Sequence, residues 1–461
     1  MEACANGPLV QFPKVSIEIL LKNQIAQILR LIFSTAVIAS CGLQMTPTNS
    51  HTSPTGVAPT IEPTKSLSEI QKSIRPLVMV HYMPWYQTPN VSGTWGWHWT
   101  MNHFDPNLEK NEKGQLEIAS HYYPLTGPYD SRDDAILEYQ VLLMKLSGID
   151  GVIVDWYGFE DFWDYGVINS STHKLFQYVK KAGLFFAICY EDRTIDNMIK
   201  NGHLNTNDAY SHGQQVMLYL QSNWFGDESY LKFSGHPVLF VFGHPPYFAS
   251  SSDWESLFSV LDNSPALITE DDPITPAASS SYPWPPMFLS SNGVLTQDAL
   301  QTYLTGFYKK AQSWDYLIAG AFPGFHDIYK EAGVSQGYGY LDSRNGETFK
   351  FTLQTALSND PDVVQLITWN DFGEGTNIEP TVEYGNQYLE IIQDTSRSLT
   401  QNGFAFVSSD LSIPLQIFNL RRQYKGNQEV NARLDEAFDA IVSGNVKLAK
   451  EIISVYSSPA P

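Results

Sequence analysis

The sequence predicts an α/β protein, a closed (β/α)₈ TIM barrel with a small C-terminal helical extension, and three observations carry that expectation. From about Pro76 to Ser398, apolar runs of strand length alternate with amphipathic helical segments, the pattern of repeated βα units around a parallel sheet. Most of these runs end in carboxylates and aromatics, at the strand ends where such folds place their chemistry. Hydrophobic residues make up 43% of the 461-residue chain and charged residues 17%, so it can bury one large core.

In chain order the candidate strands are Leu77–Val80, Gly151–Val154, Leu184–Ile188, Val238–Val241, Ala266–Thr269, Leu317–Ala321 and Val363–Thr368. The polar stretch Ser279–Trp284 is placed sixth in the order, which completes eight strands. Ser131 with Asp134 reads as a capping box before Ile136, Tyr139, Leu143 and Leu146, which share one helical face. Gly183 is expected to end the next helix, after Leu175, Val179 and Ala182, and a further helix is expected around Ala299 to Ala311. A doubly wound open sheet is the alternative, but no glycine-rich phosphate loop speaks for it.

The barrel is expected over residues 75–398. Residues 399–461 read as the helical extension, entered at Pro414, with Leu415, Phe418, Leu420 and Tyr424 followed by Val430 to Ala449. Residues 1–41 read as a leader: Lys22 and Arg30 precede the apolar stretch Leu31–Ala39, which is too short to span a bilayer and ends in Ile38-Ala-Ser-Cys41. That ending resembles a bacterial lipobox, with Cys41 as the lipidated residue. Residues 42–74, rich in Pro, Thr and Ser, read as a tether. The expectation is an exported, cell-surface lipoprotein of a bacterium, meeting the membrane only through an N-terminal lipid anchor.

With 28 Lys plus Arg against 49 Asp plus Glu, the formal charge of −21 repels phosphate backbones and polyanions, which excludes nucleic acid as a partner. A neutral oligo- or polysaccharide fits better, because flat sugar faces stack on aromatic rings and the chain holds 11 Trp and 25 Tyr. Cys4, Cys41 and Cys189 give neither a disulfide framework nor a metal-ligand spacing, and His81, His98, His121, Asp155 and Glu191 include no His-Glu-x-x-His motif. No Gly-x-Ser-x-Gly elbow is present either.

The rim segments are His81-Tyr82-Met-Pro-Trp85-Tyr86, Asp155-Trp156-Tyr157, Tyr190-Glu191-Asp192, Glu270-Asp-Asp272, Tyr282 with Trp284, Phe325-His-Asp327 and Trp369-Asn370-Asp371-Phe-Gly-Glu374, with Glu379 beyond. Cleaving a glycosidic bond requires one carboxylic acid at the departing oxygen and a second carboxylate across the bond. Asp371 and Glu374 are the leading pair, three residues apart at a strand end beside Gly373 and Gly375. Proximity raises the pKa of one and keeps it an acid. Asp371 also fits a loop-capping residue, and Asp155 and Glu191 fit either sugar-hydroxyl ligands or structural partners of His and Tyr. The substrate-binding candidates are His81, Tyr82, Trp85, Tyr86, Asp155, Trp156, Tyr157, Tyr190, Glu191, Tyr282, Trp284, Asp327, Trp369, Asn370 and Glu379.

Together with His121-Tyr-Tyr-Pro-Leu-Thr-Gly-Pro-Tyr129, Ser131-Arg-Asp133, Phe322-Pro-Gly-Phe325 and Trp369 to Pro380, these motifs resemble glycoside hydrolase families 99 and 71 over about residues 76–395. The resemblance implies an endo-acting α-glycosidase on a (β/α)₈ barrel with no cofactor, acting on α-mannan or α-glucan. It places Glu374 as acid and base at the glycosidic oxygen, Asp371 as the group that activates the substrate's 2-hydroxyl or a water, and Glu191 as a substrate-binding glutamate. Family 99 carries Glu where this chain has Asp371, and the Asn-Asp-aromatic-Gly-Glu form looks more like family 71. The alternative is a surface lipoprotein that binds glycans on the same barrel without cleaving them.

Overall fold

The computed structural model describes residues 75–244, 246–400 and 403–457. Cys41 and the leader and tether expected over residues 1–74 lie outside them. The barrel strands are β1 (Leu77–Tyr82), β2 (Gly151–Trp156), β3 (Phe185–Tyr190), β4 (His236–Val241), β5 (Ala266–Glu270), β6 (Ala278–Tyr282), β7 (Ile318–Ala321) and β8 (Val363–Leu366). They pair in parallel in the order β6-β5-β4-β3-β2-β1-β8-β7. The ring is completed where β7 meets β6: Asp315 N–H reaches Ser279 O at 3.3 Å and Tyr316 N–H reaches Ser280 Oγ at 3.0 Å. Only glycine fits at Gly320 of β7 in this arrangement, since a Cβ there would lie 2.7 Å from Pro283 Cγ just past β6.

The longer helices outside the ring, of eight residues or more, are α1 (Asp134–Ser147), α2 (Tyr165–Lys181), α3 (Ala209–Leu220), α4 (Ser251–Phe258), α5 (Gln297–Ala311), α6 (Glu347–Leu357) and α7 (Gln387–Leu399). No helix separates β5 from β6, which are joined by residues 271–277 alone. The expected capping box at the start of α1 is not formed. Asp133 is the N-cap and accepts Ala135 N–H at 3.0 Å, while Ser131 Oγ accepts Tyr86 N–H at 3.0 Å and ties the β1 loop to the helix entry. Gly183, at φ +64°, turns the chain out of α2 as expected.

The C-terminal helices are α8 (Ile413–Gln423), α9 (Gln428–Val442) and α10 (Val446–Ser457). Within the expected helical stretch from Val430 to Ala449, the chain turns between two helices at Ser443-Gly444-Asn445, where Gly444 takes φ +83°. The extension docks on α1 through Arg421, which holds the buried Glu138 carboxylate at 2.7 and 2.9 Å, and through Phe418 against Tyr139.

Candidate active site

Side chains alternate across a strand, so neighbours in sequence face opposite sides of the barrel wall. His81, Asp155, Cys189, Glu270, Tyr282 and Gln365 share the inner face. His81 meets Gln365 and Trp284 there, Cys189 lies 3.7 Å from the Tyr282 hydroxyl, and the register pairs Asp155 with Cys189 and Glu270 with Tyr282. Glu191 and Trp284 stand just above, at the C-terminal ends of β3 and β6. Trp85 stacks on His98 at 4.1 Å between ring centroids and leans toward Tyr157, walling one side of the mouth.

The loop after β8 hangs over this interior and is held from both sides. Trp369 N–H donates to His81 O at 2.6 Å. Asn370 accepts Met83 N–H at 2.8 Å and donates to Met83 O and Tyr129 Oη at 3.0 Å each. Tyr86 Oη donates to Asn370 O and accepts Phe372 N–H. On the far side a hairpin formed by Phe325–His326 and Tyr340–Leu341 donates His326 N–H to Glu374 O at 2.8 Å and Ile328 N–H to Gly373 O at 2.9 Å.

Asp371 and Glu374 are thereby fixed with contrasting surroundings. The Asp371 carboxylate accepts Glu374 N–H at 2.9 Å and is also bonded by Gly373 N–H. Burial pushes its pKa up to about 7, and those two amides resist the rise. Glu374 is partly buried, and its Oε2 is a buried atom with no hydrogen-bond partner. Desolvation, then the charges of Asp371, Asp327, Glu191 and Glu270, push the Glu374 pKa well up. Below them Asp155 and Glu191 share a hydrogen bond: burial raises both, Glu191 to about 7 and Asp155 well above the usual carboxylate range. Glu270 is pushed up to about 8 by burial and by Asp271, while Gly243 N–H at 3.0 Å opposes the shift. Carboxyl groups held apart in pKa in one cavity can divide into a proton donor and an anion at neutral pH.

Residues 73–267 match the family model Glycosyl hydrolase family 99. The glycoprotein endo-alpha-1,2-mannosidase of Mus musculus is 23% identical over 359 residues, covering 71% of this chain and 73% of the relative. The chain is a family 99-like glycoside hydrolase. A glycoprotein endo-alpha-1,2-mannosidase-like protein of Danio rerio is 24% identical, with 66% of this chain and 71% of the relative covered. The solved structure of the family 99 endo-alpha-mannosidase from Bacteroides thetaiotaomicron shares the fold at a TM-score of 0.53 and 18% identity, covering 70% of this chain and 98% of that one. The family model ends before the Trp369–Glu374 loop, whose place in this family 99-like hydrolase comes from the barrel itself.

Several residues expected to bind sugar are engaged elsewhere. Tyr82 and Trp156 lie on the outer wall, where Tyr82 Oη donates to Gln140 Oε1 of α1 at 2.6 Å and Trp156 Nε1 donates to Asn169 Oδ1 of α2 at 3.1 Å. Tyr190 is fully buried beside Trp156 on that same wall. Glu379 is buried behind the loop, taking Tyr129 Oη at 2.7 Å and Gln140 Nε2 at 3.0 Å. Asn370 and Tyr86 brace the loop as described, and Trp369 is wholly buried. Asp327 is committed to three backbone amides, of Tyr329, Tyr338 and Gly339. The inner-face Gln365, Cys189 and Glu270 were not among the candidates. Parity along each strand marks them, since Gln365 stands two residues from Val363 and Cys189 faces Asp155.

Proposed function

We propose that the protein is an endo-acting α-mannoside hydrolase in which Glu374 is the general acid at the glycosidic oxygen and Asp371 the anionic partner. The single observation behind this division is the contrast within one loop. The Asp371 carboxylate is stabilised as an anion by amides of its own turn, whereas Glu374 has an unpartnered carboxyl oxygen beside the acidic cluster, in surroundings that favour its protonated form. The Asp155–Glu191 pair beneath them supplies acceptors for sugar hydroxyls, and Trp85, Tyr157 and Trp284 supply apolar faces. The α-mannosidic substrate follows the relatives, which are named endo-alpha-1,2-mannosidases.

Whichever oxygen Asp371 activates, the proton it removes ends on its carboxylate while the Glu374 proton passes to the departing sugar oxygen. The pair therefore exchanges protonation states in each cleavage. The test is a product NMR time course on α-1,2-linked manno-oligosaccharides and on α-1,3-glucan. Internal cleavage of the mannoside is expected. Cleavage of the glucan alone overturns the sugar assignment, and glycan binding with no new reducing ends overturns catalysis. The N-terminal segment is proposed to anchor the enzyme through lipidated Cys41, and a Cys41→Ala chain that still partitions with membranes would contradict this.

A further inference from the structure

The inner face of the barrel, just below its C-terminal mouth, contains a cluster with a second chemistry. His81 of β1, Asp155 of β2 and Cys189 of β3 each present one ligand-capable atom, and these three atoms lie within 4.8 Å of one another. All three side chains are buried, none more than 2% exposed. His81 Nε2 and Asp155 Oδ1 have no hydrogen-bond partner, a costly state for buried polar atoms and one that a ligand would relieve.

The other ring nitrogen of His81 is already oriented, with Nδ1 3.0 Å from the Gln365 side-chain amide. Gln365 Oε1 is itself without a partner, and oxygen and nitrogen of an amide exchange by a flip. In the flipped form Nδ1–H donates to Oε1 and the Nε2 lone pair points away from Gln365, the arrangement that second-shell acceptors impose on metal-bound imidazoles. Burial lowers the His81 pKa to about 3, so the imidazole is neutral, which is the ligating form.

We propose that His81 Nε2, Asp155 Oδ1 and Cys189 Sγ form a site for one thiophilic divalent cation, Zn²⁺ being the type, on the floor of the sugar pocket. The cation blocks the pocket and takes no part in hydrolysis. A nitrogen, oxygen and sulfur donor set suits Zn²⁺, whose bonds of about 2.0–2.3 Å place ligand atoms about 3.3–3.8 Å apart, so the cluster closes by no more than about 1.5 Å. Binding replaces the S–H bond of Cys189 with an S–Zn bond and releases the proton to solvent. A cation there also takes up the Asp155 carboxylate that pairs with Glu191. That competition rests on the glycan pocket proposed above, whereas the binding does not.

The experiment titrates the full-length protein with Co²⁺ and follows thiolate-to-cobalt charge-transfer absorption in the near ultraviolet, then displaces the cobalt with Zn²⁺. The expected result is a band in the native protein that Cys189→Ser and Cys189→Ala both lose while keeping native circular dichroism, since Cys4 and Cys41 lie elsewhere in the chain. Inhibition of glycan hydrolysis by Zn²⁺ should weaken at least about tenfold in the same variants. No band, or a band that survives both substitutions, overturns the site. A Cys189-dependent band with hydrolysis untouched by Zn²⁺ overturns the competition. If no tested glycan is cleaved at all, the functional reading fails while the cobalt band still decides the metal site.

Discussion

Replacing Asn370 by Ala separates two readings of the Trp369–Glu374 loop. By its position at a strand end Asn370 is a sugar ligand, but in the structure its side chain is fully buried and makes three hydrogen bonds, two to the Met83 backbone and one to Tyr129. Losing three buried bonds at about 1 kcal/mol each, and leaving Met83 N–H and C=O unpaired in a dry site, should cost about 2–4 kcal/mol. Because these bonds join the end of β1 to the loop that carries Asp371 and Glu374, kcat should fall with stability while KM changes little. Urea denaturation and steady-state kinetics on one preparation measure both. A variant of native stability whose KM rises about tenfold would refute the latch and restore Asn370 as a sugar ligand.

Three further outcomes are expected. The kcat/KM profile should rise with pH through about 7 as Asp371 becomes an anion, then fall at higher pH as Glu374 loses its proton; an acidic limb near the ordinary carboxylate value would contradict the assignment. Glu379, Asp192 and Glu270 have folded pKa values of about 7, 7 and 8, above their unfolded values, so the native state binds more protons than the unfolded chain in that window. Their contribution to stability is therefore greatest at low pH and is lost as pH rises, so Tm should drop between about pH 5 and about pH 8, and drop less in Glu379→Gln. Arg421→Ala strands the buried Glu138 beneath the C-terminal helices and should destabilise by about 3–5 kcal/mol in thermal or urea unfolding, with kinetics of the remaining folded enzyme unchanged.

Strand order and the place of the candidate site in the fold were legible because both depend on pattern: apolar runs mark strands, and their C-terminal ends mark the mouth of a barrel. β6 was the faint one, since Ser279-Ser-Ser is polar and owes its place to neighbours on both sides, not to apolar content. Facing was harder to read. Tyr82 and His81 are adjacent at the same rim, yet one packs on α1 and the other lines the interior. Asn370, Tyr86 and Glu379 carry the polar groups expected of a sugar site, but partners distant in sequence, Met83, Tyr129 and Gln140, engage them. Asp371 caps its own turn, with a carboxylate that also belongs to the acidic cluster.

The most direct measurement is turnover and binding of an α-1,2-linked manno-oligosaccharide by Glu374→Gln, which keeps the shape of the side chain and removes its acidic proton. Turnover should fall by about 10²–10⁴-fold while the glycan Kd stays within a few-fold of native. Unchanged turnover in that variant would contradict the assignment of Glu374 as the acid.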